Sequence, residues 1–301
     1  MTTVDRTAVF EGLRPRLRGL AYRMLGSVGD AEDAVQDAYL RWHQTDGGGA
    51  DDIRSPEAWL VTVVTRLCLD RLRALAAERA AYDGPWLPEP WPEAADEDGV
   101  PGRRLERAAD LSIAFLALLE RLSPEERAAL LLREVFDVGY PEIARTRGKA
   151  EAACRQMVHR ARERVRQGRT RRRATEAARR HLVRQYLDAV NARDQATLLR
   201  ILAPDAAYIT DGGGKAWALR RIVRGAERIA RLVVSVARKT PGWVHAPAPV
   251  NGEPGYLTYD ADGRLIGATA IDTDGERILA VYRVLNPDKL RRLAERRLAG
   301  G

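Results

Sequence analysis

Cysteine is scarce, with two residues in 301, Cys68 and Cys154. That excludes a disulfide-stapled scaffold and a Cys-rich zinc site. Both fall inside helical patterns, where a buried, reduced thiol is the expected reading. His43, His181 and His245 have no neighbours at ligand spacing, so no metal, cofactor or catalytic cluster is expected. The first residues lack the apolar core of a signal peptide, and no stretch approaches the ~20 apolar residues of a membrane span. The expectation is a cytoplasmic protein with no membrane partner and, when free, a monomer.

Charge is abundant but unevenly placed. Lysine and arginine number 50 against 42 acidic residues, a net charge of +8. Residues 1–75 carry −1, 76–110 carry −5, and 111–175 and 176–301 carry +7 each. A near-neutral block, an acidic stretch and two basic blocks suggest separate modules, and a basic helical block attracts phosphate.

The first block reads as helical. Leu13, Leu17, Leu20 and Met24 form one stripe, Val35, Ala38, Tyr39 and Trp42 a second, and Leu60, Val63, Val64 and Leu67 a third. Asp30 is the expected N-cap of the second helix. Ser55-Pro56 and Ser123-Pro124-Glu125-Glu126 open later helices. From Tyr82 to Gly102 helical periodicity stops amid five prolines and two tryptophans, Trp86 and Trp91. That composition marks a linker, and the tryptophans suit docking on a folded surface.

A short helix from Tyr140 to Arg145, a turn at Gly148 and a long basic helix from Ala150 make a helix-turn-helix pattern. Cys154, Met157, Val158, Ala161 and Val165 form its buried stripe. Arg155, His159 and Arg162 are thereby turned outward, with Gln156 and Arg160 beside them. Arginine reads guanine bidentately and glutamine pairs with adenine, while further cations hold phosphates. Beyond Ala174, the turn-flanked runs 206–210, 256–259, 264–268 and 277–285 read as an antiparallel sheet. The fold class is thus two all-α domains, the second a helix-turn-helix, followed by an α+β domain.

These motifs carry a resemblance. Asp30-Ala31-Glu32-Asp33-Ala34-Val35-Gln36-Asp37 resembles the polymerase-binding helix of bacterial sigma factors. Trp59-Leu60 through Leu69-Asp70-Arg71-Leu72-Arg73 resembles their −10 helix. Leu122-Ser123-Pro124-Glu125-Glu126-Arg127, Tyr140-Pro141-Glu142-Ile143-Ala144 and the run from Arg155 to Arg162 resemble their −35 domain. Over residues 8–170 the chain is similar to an extracytoplasmic-function (ECF) sigma factor. Arg66 stands where that family often has Asn, and Ala150 where a Ser or Thr cap is usual.

The resemblance implies a domain at 1–80 that binds core polymerase and the −10 element, a linker at 81–108 and a −35 domain at 109–170. It assigns Asp33, Gln36, Asp37, Leu40 and Arg41 to core polymerase, namely the β′ coiled coil and the β subunit. Trp59, Arg66, Asp70, Arg71 and Arg73 fall to −10 DNA, with the Asp46–Asp52 loop as a further pocket for melted bases. Lys149, Arg155, Gln156, His159, Arg160 and Arg162 fall to −35 DNA.

Residues 176–292 resemble the SnoaL-like, ketosteroid-isomerase-like cone. Tyr82-Asp83-Gly84-Pro85-Trp86-Leu87-Pro88-Glu89-Pro90, Asp211-Gly212-Gly213-Gly214-Lys215 and Asn286-Pro287-Asp288-Lys289-Leu290 look like signatures of the SigJ-type group, whose fused domain is implied to regulate sigma activity in cis. Tyr82, Pro85, Trp86, Leu87, Pro88, Asp211 to Lys215 and Asn286 to Lys289 would make that regulatory contact. The alternative is a small-molecule sensor or isomerase fused to a DNA-binding module. Asp211 would then be its carboxylate, with Tyr208, Tyr256 and Tyr282 as donors. Lys215 is followed by Ala216, against a Walker phosphate loop.

Overall fold

The computed structural model describes residues 5–45, 53, 55–91, 111–168 and 174–299. The Asp46–Asp52 loop, residues 92–110 and residues 169–173 lie outside this range. The chain divides into two compact units: Met1–Ala80 with Leu118–Gly168, and Ala81–Ala117 with Arg169–Gly301.

In the first unit, α1 (Arg6–Leu25), α2 (Val28–Gln44) and α3 (Pro56–Ala74) pack together. Leu17, Leu20, Met24, Val35, Ala38, Trp42, Leu60, Val64 and Cys68 are buried there. The α3 stripe runs through Val61, Cys68 and Leu72 rather than Val63 and Leu67, which are half-buried. Ser27, not Asp30, caps α2, accepting the Asp30 N–H at 3.3 Å. The Asp30 carboxylate is thereby free to take Arg71 Nε at 2.8 Å. Ser55 caps α3 with Pro56 at its first turn, as the sequence indicates.

The short α4 (Ala76–Ala80) ends this first segment, and α5 (Ile113–Leu119) leads into α6 (Pro124–Glu134). Ser123 and Glu126 form a reciprocal capping box at the start of α6. Then α7 (Tyr140–Arg147) closes on Gly148 at φ 61°, and α8 (Glu151–Gly168) follows. Cys154, Met157, Val158, Ala161 and Val165 are all buried on α8, the stripe that its spacing predicts. Helix α6 packs on α1 and α3, so the two sequence modules of this unit are docked rather than separate.

The second unit is built on a six-stranded sheet in the order β2-β1-β6-β5-β4-β3. The strands are β1 (Leu202–Asp211), β2 (Val223–Arg224), β3 (Val244–Val250), β4 (Glu253–Tyr259), β5 (Leu265–Thr273) and β6 (Ile278–Val284). Four of the five ladders are antiparallel, and β1–β6 is parallel, so the sheet is mixed. Pro247 and Pro249 fit β3 because it is an edge strand. Asn251 and Gly252, both at positive φ, turn β3 into β4.

Alternation along the strands divides the core into two layers. Tyr208, Tyr256, Ile271 and Val281 face α9 (Glu176–Asn191), α10 (Gln195–Ile201) and α11 (Ala226–Lys239). Ile209, Leu257, Ala268, Ala270 and Val284 face α12 (Pro287–Ala299) together with Leu87 and Ile113. Of the segment expected to be a linker at 81–108, the described part, residues 81–91, therefore lies against one face of the rear sheet, and the described front of the expected 109–170 domain goes with it. Leu87, Trp91 and Ile113 are each at most 2% exposed. Burying side chains of this size contributes about 1.5–3 kcal/mol each, enough to seat the segment.

Candidate functional site

Helix α8 presents Arg155, Gln156, His159, Arg160 and Arg162 to solvent, with Lys149 exposed in the turn before it. The buried stripe fixes this outward set, because positions three and four apart share a face. Arg155 pairs with Glu151 and stacks 4.6 Å from the Tyr140 ring. Arg162 pairs with Glu134, which holds its guanidinium above the usual value. Both pairs are exposed and therefore weak, so phosphates or base edges can displace them.

On α2, Asp33, Gln36, Asp37, Leu40 and Arg41 are all exposed, and Leu40 is a rare large apolar side chain left in water. On α3, Arg66, Asp70, Arg71 and Arg73 are exposed, whereas Trp59 is half-buried with its ring 5.5 Å from that of Trp42. Trp59 is thus largely a packing residue.

One buried cluster fastens the two halves of this unit. Glu120 accepts from Arg79 and from Arg127, each at 2.6 Å. Arg127 also donates to the carbonyls of Leu119 at 3.0 Å and Met24 at 2.7 Å, and Arg79 to that of Leu25 at 2.5 Å. Burial lowers the pKa of Arg79 against the pull of Glu120. Arg73 also meets Glu125, at 3.5 Å.

In the second unit, three sequence stretches converge on Asp211, which has no exposed surface. Its carboxylate accepts from Tyr82 Oη at 2.6 Å, the Leu87 N–H at 2.8 Å and Lys289 Nζ at 2.7 Å. Lys289 also donates to the Leu87 carbonyl at 2.6 Å and lies 4.0 Å from the Trp86 ring centroid. Asn286 Nδ2 donates to Tyr82 Oη at 2.9 Å, while Lys215 pairs with Asp288 at 2.5 Å. Burial, followed by the bond to Asp211, pushes the Tyr82 phenol up, which keeps it a donor. Gly213 has φ 58°, and a Cβ there would strike Asn286 and Tyr82, so glycine is what admits the close approach. Pro85 is half-buried beside Trp86, and Pro88 is buried.

Asn251 fixes the same segment further along. It accepts from the Trp91 N–H at 2.8 Å and donates to the Leu111 carbonyl at 2.8 Å.

On the opposite face of the sheet, Tyr186, Tyr208, Trp243, His245, Tyr256 and Arg283 line a pocket with apolar side chains of α9 and α11. Asp211 and Tyr282 belong to the other layer, which removes them from the catalytic set considered above: strand alternation points them away. No carboxylate is among the described residues lining the pocket.

Burial, reinforced by Arg283, lowers the His245 pKa to about 4. The unfolded chain then takes up a proton first as pH falls below ~6.5, so this contribution is fully present above that value and is lost towards pH 4. Partial exposure of the ring limits the effect to about 1 kcal/mol. The thermal midpoint of the wild type should drop more between pH 7.5 and 5 than that of His245→Gln. Parallel curves would dismiss this source.

A model of Sigma-70 region 2 matches residues 9–78, and one of Sigma-70, region 4 matches residues 112–165. The ECF RNA polymerase sigma factor SigJ of Mycobacterium tuberculosis (strain ATCC 25618 / H37Rv) is 39% identical over 294 residues, covering 93% of this chain and 91% of its own. The chain belongs to the ECF sigma factors. The probable ECF RNA polymerase sigma factor SigI of M. tuberculosis (strain CDC 1551 / Oshkosh) is 31% identical, covering 94% of each chain. The crystal structure of M. tuberculosis SigJ matches with a TM-score of 0.73 at 34% identity, covering 95% of this chain and 98% of that one.

As a sigma factor, the protein directs RNA polymerase to promoters at transcription initiation. In this ECF sigma factor the structure brings together each of the three signature stretches that sequence reading singles out. Sequence reading misses Glu120, Asn251 and Arg283. Asn251-Gly252 is a strong hairpin signal that could have marked the β3–β4 turn in which Asn251 sits. No local pattern marks Glu120, whose partners lie 41 and 7 residues away.

Proposed function

We propose that this sigma factor is held in check in cis, with its two promoter-reading regions docked against each other in the free protein. The observation that carries this reading is the Arg79–Glu120–Arg127 junction, which binds region 4 side chains to region 2 carbonyls. Centres of −10 and −35 elements lie some 25 base pairs apart, about 85 Å along B-DNA at 3.4 Å per pair. A compact unit of this size spans roughly 40 Å. Regions packed in one such unit must part before both elements are read.

In the open form, the acidic strip Asp33, Gln36, Asp37 with Leu40 and Arg41 meets core polymerase, at the β′ coiled coil and the β subunit. Arg66, Arg71 and Arg73 hold the backbone of the melted −10 strand, with Asp70 and Trp59 shaping that surface. Lys149, Arg160 and Arg162 hold −35 phosphates, while Arg155, Gln156 and His159 face base edges. Region 2 and region 4 then act as separate readers.

The rear domain acts as a non-catalytic regulator. Its hold on residues 82–91 through Asp211, Lys289 and Asn251 sets how much chain is free to let the regions separate. The absence of a carboxylate among the described residues that line the pocket supports this over proton-transfer chemistry. A cytoplasmic location fits both partners, and among the described residues no helix is long and apolar enough to cross a membrane.

Run-off transcription with core polymerase and the full chain tests the assignment. Specific transcripts are expected from promoters enriched from a random library, and Arg155→Ala should weaken them by about 1–3 kcal/mol at particular −35 bases. Absence of any specific start, or a uniform loss across all −35 sequences, would remove the base-reading role.

A further inference from the structure

Positive charge in the rear unit is gathered in one place. Residues 176–301 carry a net charge of +7, and residues 215–239 alone hold eight cations against one acid, Glu227. The whole excess therefore lies in the loop after β1, in β2 and in α11. All eight cations are exposed. Lys215 pairs with Asp288, and Arg220 with Asp83 at 3.2 Å. Arg221, Arg224, Arg228, Arg238 and Lys239 meet no carboxylate among the described residues. On α8, by contrast, Arg155, Arg162, Arg164 and Arg166 each pair with a glutamate.

The fold turns this charge to one side. Ile229, Ala230, Val233 and Val234 are the buried stripe of α11, which puts Arg228, Arg231, Ser235 and Arg238 on its outward face. Like charges at that spacing repel, and a polyanion laid along the helix relieves the repulsion. From Arg228 to Arg238 the stripe is about 15 Å long at 1.5 Å per residue. That matches about four phosphates of one strand at an axial spacing of 3.4 Å.

An aromatic side chain stands beside the cations in sequence. Trp217 is 71% exposed, the most exposed of the large apolar side chains among the described residues. Its loop is nonetheless fixed on both sides. The Ala216 N–H donates to the Gly212 carbonyl at 3.1 Å, and the Leu219 N–H to Thr210 Oγ1 at 2.8 Å. The indole is thus presented to solvent on a held loop, with Ile222, also exposed, further along it. A paired base hides its faces within the duplex, whereas an unpaired one offers them for stacking on such a ring.

We propose that the rear unit carries a nucleic-acid surface of its own, which binds single-stranded DNA. Arg224, Arg228 and Arg231 hold its phosphates, and Trp217 stacks on a base. The surface uses none of the residues that seat residues 82–91 on Asp211. The choice of DNA over RNA rests on the melted strand in the proposed function. Binding is measured on the free full-length protein without polymerase, so its failure is distinguishable from a failure to initiate.

The probe is a labelled oligothymidylate of about 15 nucleotides, followed by fluorescence anisotropy across a salt series. The triple variant Arg224→Gln, Arg228→Gln, Arg231→Gln should bind at least about tenfold more weakly at about 50 mM salt. Its slope of log affinity against log salt should be shallower by about 2, from about 0.7 per lost contact. Trp217→Ala should lose about tenfold on the single strand and little on a duplex of the same length. An iodouracil-substituted oligonucleotide, crosslinked by light and mapped after trypsin, should mark the peptide Ala216–Arg220. Crosslinks confined to residues 1–168, an unchanged salt slope in the triple variant, or an equal loss on duplex by Trp217→Ala would each overturn the proposal. So would equal competition by a poly-glutamate of matched charge, which would make the partner an acidic protein, or tighter binding of oligouridylate. Should the triple variant fail to fold, crosslinking of the wild type decides alone.

Discussion

Glu120→Ala should increase run-off transcription from a cognate promoter by roughly ten- to a hundred-fold when core polymerase is limiting. The carboxylate lies between two guanidiniums whose side chains are only 20% and 4% exposed. Without it, Arg79 and Arg127 face each other as like charges inside the junction, at a cost of about 2–4 kcal/mol to the docked form. In the separated form each is solvated, so the loss falls on the docked state. By population arithmetic the competent fraction then rises nearly in proportion until it saturates. Glu120→Gln, which keeps acceptors but no charge, should fall between the two. Unchanged output from Glu120→Ala, with native circular dichroism, would show that the junction does not limit initiation.

Asp211→Ala should destabilise the rear unit by about 3–5 kcal/mol and lower its thermal midpoint by about 10 °C. It removes the acceptor shared by Tyr82, the Leu87 amide and Lys289, and takes the counter-charge from an ammonium whose side chain is 12% exposed. Residues 82–91 would lose their central anchor, leaving Asn251 at the far end. Limited proteolysis with mass spectrometry should therefore find new cuts between Tyr82 and Trp91 before global unfolding. A variant that loses stability yet keeps this segment protected would place the anchor elsewhere. Unchanged promoter output alongside new cuts would separate the contact from regulation.

Local patterns foretell local structure well in this chain. The α8 stripe, the Ser123 N-cap and the start of the strand that opens at Leu265 follow from spacing and turn chemistry, each decided within a few residues. The DNA-facing residues of α8 follow with them, since fixing the buried face fixes the exposed one. Strand β3 is harder to see, because Pro247 and Pro249 suppress the usual strand signal and only its edge position accommodates them. The parallel β1–β6 ladder joins residues some 75 positions apart, and no window of sequence encodes such pairing. The placement of residues 81–91 and 111–117 is likewise long-range: the tryptophans of a proline-rich run point to docking, but nothing local says on which surface. Asp211 shows the limit for site residues. The contact reading and the alternative of a pocket carboxylate are both open in the sequence, and the parity of its position on β1 decides for the contact.

The rear unit is assembled from two pieces of chain separated by Leu118–Gly168 of the front unit, and this sets an order of events during synthesis. Region 4 ends near residue 168, whereas Lys289, which closes on Leu87 and Asp211, is made some 120 residues later. At 5–20 residues per second that interval is about 6–24 s. Each newly made molecule therefore has both promoter-reading regions complete before the element that seats residues 82–91 exists. On the proposed reading, the time taken to make residues 169–289 sets when that contact can first form.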